Sequence, residues 1–166
     1  MNNLQSIYFF FPEIILTLVI LVAIVFDLFL KIEDSGKVCW VLVFGLIAVA
    51  ISIGFQDNRA TTLFTNAVVL DPFSKFFKMI IILSTILVSI VSLSNDELLK
   101  YRKGEYYTLL GIVTFGLFLM VSSIDLIMVY LSIEIVSIMS FVLAGYLKQN
   151  TRSNEAALKY VVYGSF

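Results

Sequence analysis

The residue with the strongest chemical implication is Glu134. It lies in DLIMVYLSIEIVSIMSFVLAGY (Asp125 to Tyr146), where it is the only carboxylate after Asp125. The stretch is long enough to cross a bilayer, which takes about 20 mostly apolar residues. A carboxylate near the middle of such a helix costs roughly 2.5–3.5 kcal/mol on insertion scales, and residues of this kind mark proton or ion paths. Tyr130, Ser137 and Phe141 fall at i−4, i+3 and i+7 from it and share its face. Tyr130 and Ser137 can hydrogen-bond Glu134 or a water beside it. A carboxyl group so placed can exchange protons when a nearby cation offsets its burial. The plainer alternative is a structural residue permanently paired in a helix interface.

Lys159 is the natural cation to look for, because it lies on the next helix. It has a competing partner in Glu155 at i−4, the favourable order for a helix ion pair. Its position near a helix end also allows snorkelling to the membrane surface. Asn154 or Ser153 is expected to cap that helix. Asp27 and Asp125 sit near helix ends and are expected to be interfacial or capping. Lys75 and Lys78 are expected to anchor a helix at the interface. Pro12 and Glu13 suit a first helical turn, through the fixed proline φ and the helix dipole. Cys39 is expected to be a small buried hydrophobe.

With no His and one Cys, the chain lacks the residues for intrachain disulfides, cysteine-held iron–sulfur clusters or Cys/His zinc sites. Neither a G-x-G-x-x-G nor a P-loop pattern occurs. A net charge of −1 gives no nucleic-acid footprint. Redox cofactors are therefore expected to be absent from this chain.

The elements that position these residues are membrane helices. Sixty per cent of the 166 residues are hydrophobic and 14% are charged, against about 45–50% and about a quarter in a soluble domain. The expected fold is all-α: a polytopic transmembrane bundle of five full helices and the start of a sixth. The apolar runs cover about 9–30, 38–55, 73–93, 106–123 and 125–146. Between them, KIEDSGK (Lys31 to Lys37) is a polar turn, 56–72 a mixed surface segment, and SNDELLKYRKGE (Ser94 to Glu105) the most polar linker. The first run is too long for a signal-peptide core. The last segment, Glu155 to Phe166, would span about 18 Å, less than a hydrocarbon core of ~30 Å. It is expected to break off inside a sixth helix, whose remainder is either missing from a fragment or supplied by another polypeptide.

Loop charge orients the bundle. Lys31, Lys37, Lys100, Arg102, Lys103, Lys148 and Arg152 follow odd-numbered helices, while Arg59 is on the opposite side. The basic side is expected to be cytoplasmic, or matrix in an organelle, with the N-terminus outside.

Several of these pieces together resemble one family. DLIMVYLSIE, VLAGYLKQ and SNEAALKYVVYGSF, with PEIILTL, DLF, DPFSKFFK and GEYYTLL upstream, look like subunit N of bacterial NADH:quinone oxidoreductase, respiratory complex I. Mitochondrial and plastid equivalents and, more distantly, multi-subunit Na⁺/H⁺ antiporters are similar to it. The resemblance implies a proton-translocating membrane-arm subunit, with Glu134 and Lys159 matching the family's proton-path residues and Tyr130 and Ser137 in support. It implies that residues 1–103 hold helices one to three and a linker, and that 104–166 open an antiporter-like repeat, truncated here. NADH, flavin, iron–sulfur clusters and quinone would be served by other subunits. Partners would be other membrane-arm subunits, the lipid bilayer and the missing C-terminal part. The location would be the bacterial plasma membrane, with an organelle inner membrane or thylakoid as alternative. A cation/proton antiporter subunit and a purely structural membrane protein are the competing functions.

Overall fold

The computed structural model describes residues 7, 9–31, 34–56, 60–95 and 103–164. Its helices are α1 (Phe11–Phe29), α2 (Lys37–Gly54), α3 (Pro72–Leu93), α4 (Lys103–Ser122), α5 (Leu126–Ala144) and α6 (Thr151–Gly164). The first five are long and apolar enough to cross a membrane, as their apolar runs lead one to expect. Arg59, Lys100 and Arg102, used above to orient the chain, lie outside the described residues.

Local chemistry sets the helix starts. Pro12 and Pro72 occupy first-turn positions, where a missing N–H costs nothing. At α3 the Asp71 carboxylate accepts the Ser74 N–H at 2.7 Å, and the Ser74 hydroxyl oxygen accepts the Asp71 N–H at 3.2 Å. This reciprocal box satisfies two of the orphan donors of a helix N-terminus.

The helices alternate in direction, giving the bundle two ends. At one end the mixed segment between α2 and α3 holds a hairpin: β1 (Thr61–Leu63) pairs antiparallel with β2 (Val68–Leu70). Its loop holds Phe64, Thr65 and Asn66 at φ 49°, 57° and 69°. Left-handed backbone is uncommon at a β-branched residue such as Thr65. The hairpin docks on the α4–α5 turn through a Val68–Ser123 bridge and the Ile124 N–H to the Ala67 carbonyl at 3.0 Å. Leu63, Val68 and Leu70 bury themselves under Phe9, Phe10 and Met128.

The main core lies among α1 to α4, with Leu16, Ile20, Leu42, Leu46, Tyr107 and Phe118 at its centre. Asp27, expected at an interface, is buried there beside Gly104, where a Cβ would run into its carboxylate. Burial reaches α4 but not α5, where Ser132 is the one buried residue. Gly116 lets α5 approach α4: a Cβ there would lie 2.8 Å from Val136 and 2.9 Å from Ile135. The remaining α5 surface exposes Leu126, Ile127, Tyr130, Leu131, Ile133 and Ile138, at a mean hydropathy of 2.3. A helix that apolar and that uncovered requires lipid or further protein around it.

The α6 helix begins four residues before the expected Glu155. The Asn150 side chain accepts the Arg152 N–H at 3.0 Å in the manner of an N-cap. Ser153, a cap candidate by sequence, instead donates to the Ala144 carbonyl at 2.7 Å and ties α6 to the end of α5. The other candidate, Asn154, donates to the Lys148 carbonyl.

Candidate functional site

Glu134 sits at the middle of α5, half-buried. Its helical neighbours Ile135 and Val136 turn to Gly116 on α4, which directs the Tyr130–Glu134–Ser137–Phe141 face away from that contact. Tyr130 is 62% exposed, and its phenol interacts with the Glu134 carboxylate one turn on. Ser137 is half-buried on the same face. Phe141 packs edge-on against Tyr160 of α6 at 4.8 Å between ring centres.

That last contact fixes the register of α6 against α5. Gly145 lies against Ala157, and Gly164 against Phe141. Glu134 is seven residues from Phe141, about 10 Å along the helix axis, so Lys159 is not level with it. Lys159 Nζ pairs with Glu155 Oε1 at 2.6 Å, both side chains being about two-thirds exposed at 62% and 64%. Among the described residues no ion pair joins Lys159 to Glu134. The two sequence-singled residues share a neighbourhood, α5 against α6, but Lys159 spends its charge on its own helix.

Sequence reasoning missed a different ion pair. Lys78 and Glu13 are not surface groups: Lys78 Nζ meets Glu13 Oε1 at 2.5 Å with the side chains 0% and 1% exposed. Lys75, also expected at the interface, is buried as well and donates to the Gln56 carbonyl at 2.6 Å. The Phe118 ring centre lies 5.7 Å from the Lys78 ammonium. Lys78 belongs to a polar stripe along α3 that continues through Thr85, Ser89 and Ser92, all buried. Thr85 and Thr114 share a hydrogen bond of 3.0 Å, and Ser92 donates to the Tyr107 hydroxyl at 3.3 Å. The spacing of that stripe was the available signal, since residues three and four apart share a helix face. Among the described residues no group of three or more Cys, Asp or Glu side chains gathers where a metal could bind.

Fold and site together define a multi-pass helical membrane protein with a carboxylate midway along an otherwise uncharged, largely exposed helix. Along nearly its whole length the chain is related to the N-terminal third of NADH-quinone oxidoreductase subunit N. It is 40% identical to that subunit from Chlorobium chlorochromatii over 166 residues, covering 96% of this chain and 32% of the relative. With subunit N 2 of Chloroherpeton thalassium it is 41% identical over 160 residues, covering 94% and 31%. F(420)H(2) dehydrogenase subunit N of Methanosarcina mazei is 32% identical over 170 residues, covering 98% and 34%. Residues 123–166 match the family described as NADH:quinone oxidoreductase/Mrp antiporter, TM. That matched segment contains Tyr130, Glu134, Ser137 and Lys159. The chain thus spans about a third of the length of the relatives it matches.

Proposed function

We propose that this chain forms part of a proton-translocating membrane-arm subunit of an NADH:quinone oxidoreductase, in which Glu134 binds the transported proton. The observation that carries this reading is Glu134 itself: a carboxylate on a helix of mean hydropathy 2.3, with an interacting phenol one turn away. An acid in that setting is costly, and such residues serve transport far more often than architecture. Its position inside the segment matching the oxidoreductase/antiporter family supports the same reading.

In this scheme Lys159 is the cationic end of the path. Its Glu155 partner lies one turn further from Glu134, so a change of partner would move positive charge toward the α5 face. Such a shift couples to Glu134 electrostatically, and the coupling is reciprocal. Residues 104–166 then open the transport repeat, and 1–103 brace it. The flavin, clusters and quinone belong to other subunits. The electron donor is not chosen by this chain, which accords with its likeness to an F(420)H(2) dehydrogenase subunit. Lys31, Lys37, Lys103, Lys148 and Arg152 all lie at the end away from the hairpin, so that end faces the cytoplasm of a bacterial plasma membrane.

The test is Glu134→Gln in the native complex, comparing protons moved per electron in membrane vesicles. Pumping falls while assembly persists if the reading holds. Wild-type pumping per electron would overturn it. The Mrp part of the family description favours a second reading, cation/proton antiport. Na⁺-driven pH changes in vesicles without NADH oxidation would establish that one instead.

A further inference from the structure

The α6 helix lies across the C-terminal end of the α5 face that carries Glu134, Ser137 and Phe141. Ser153, Ala157, Tyr160 and Gly164 recur at i, i+4, i+7 and i+11 along α6, a spacing that lines one side of a helix. All four meet the end of α5. Ser153 Oγ donates to the Ala144 carbonyl at 2.7 Å. A Cβ at Gly145 would lie 2.9 Å from the Ala157 Cβ. The Tyr160 ring stands edge-on to Phe141, with 4.8 Å between centres and 79° between planes. A Cβ at Gly164 would lie 2.9 Å from Cε1 and Cζ of that same ring. Phe141 is therefore the large α5 side chain in this seam, and its ring fills the space between Tyr160 and Gly164, one turn apart on α6.

This seat limits both sliding and rotation. The two helices run antiparallel, since Ala157 faces Gly145 and Gly164 faces Phe141. Sliding α6 by one turn, about 5.4 Å, would place Tyr160 where Gly164 now gives the ring room. Lys159 precedes Tyr160 and so lies about 100° around α6 from the seam. A rotation that brought Lys159 over α5 would carry Tyr160 and Gly164 off Phe141. Among the described residues α6 has none that is fully buried, and it packs chiefly on α5. Its placement thus depends on this short seam.

We propose that Phe141 is a positioning residue for Glu134 and Lys159: seated between Tyr160 and Gly164, its ring sets the height and rotation at which α6 presents Lys159 to the Glu134 face. The inference rests on the proton-path reading above. Electrostatic coupling weakens with distance. Lys159 neighbours a residue held against Phe141, which is about 10 Å along the axis from Glu134. At that separation the two groups influence each other without forming a pair. Unseating α6 changes the separation, and with it the response of each group to the charge on the other. Phe141 itself binds no proton and acts through Lys159.

The experiment measures protons moved per electron in vesicles holding the native complex or its variants. Gly164→Ala keeps α6 helical, since alanine favours a helix more than glycine does, and sets a methyl group against the ring. It is expected to lower the ratio several-fold. Phe141→Leu leaves the seat part-empty and is expected to lower it too. The Phe141→Leu/Gly164→Ala double variant gives the methyl the vacated space and is expected to recover most of the native ratio. In a Lys159→Ala background, neither Phe141→Leu nor Gly164→Ala should lower the ratio further, because a positioning residue acts only through the group it positions. Losses that add in that background, or a native ratio in both single variants, overturn the proposal and leave the role of Glu134 standing. Either substitution alone completes the comparison where the other does not assemble. A native ratio in Glu134→Gln or Lys159→Ala would instead remove the proton-path reading, and the positioning role with it.

Discussion

Lys78 of α3 reaches across the bundle to Glu13 in the first turn of α1, 65 residues away in sequence, and closes a 2.5 Å ion pair sealed from solvent. Two helices that are not neighbours along the chain are thereby held at one height. Removing one partner leaves an uncompensated buried charge, which costs about 3–5 kcal/mol. Lys78→Met alone is expected to lower the melting temperature of the detergent-solubilised complex more than the Glu13→Gln/Lys78→Met double variant does. A double variant less stable than the single would contradict that ordering.

The α4–α5 contact depends on the missing side chain at Gly116. Gly116→Val would push its methyl groups into Ile135 and Val136, and overpacking of this kind costs about 1–3 kcal/mol. Because the displaced residues adjoin Glu134, the variant should reduce proton transport as well as stability. Pumping at the native rate in an assembled Gly116→Val complex would show that the α4 contact does not position Glu134.

The Glu155–Lys159 pair is exposed, and pairs of this kind contribute a few tenths of a kcal/mol. Glu155→Gln is expected to leave thermal stability within error of native. Its effect should appear in transport instead, since it frees Lys159 from its present partner. A large stability loss with unchanged transport would make the pair structural.

Tyr130 contacts Glu134 but is 62% exposed in this chain. Tyr130→Phe removes one hydrogen-bonding group and keeps the ring, so a transport loss of several-fold at most is expected, well short of that from Glu134→Gln. Equal losses from the two variants, measured as protons per electron, would make the phenol an obligatory part of the path.

Tyr146 lies just beyond α5, where burial first and the nearby Glu105 carboxylate second push its phenol up to about 12. The ordinary value is about 10. A group whose folded-state value is raised contributes its stability fully below the unfolded value and loses it as pH rises through the folded one. Tyr146 thus favours the fold up to about pH 10 and ceases to do so toward about pH 12. Phenolate absorbance of native protein minus Tyr146→Phe should show this late titration; a midpoint near 10 would contradict it.

Much of this protein was legible from residues alone. Apolar runs of membrane length fixed five helices, because in lipid a backbone segment must satisfy its own hydrogen bonds. Pro12 marked a helix start through local chemistry that acts within one turn, whereas the Asp71–Ser74 box at the start of α3 emerged only in the structure. Glu134 stood out because a carboxylate in such a run has few innocent explanations. The hairpin at 61–70 was not legible: each strand has three residues, too few for a period, and it is held by docking on the α4–α5 turn.

What only the tertiary structure decided is which charges meet. Glu13 and Lys78 each had an adequate local explanation, as a dipole-favoured acid and an interfacial anchor, and nothing within a turn of either named the other. Lys159 had two possible acids, and the register of α6 on α5 chose Glu155. An ion pair forms wherever packing brings its members within a few ångströms, and that distance depends on how whole helices cross and slide. Sequence periodicity states what faces a helix has, but not which face of which neighbour it meets.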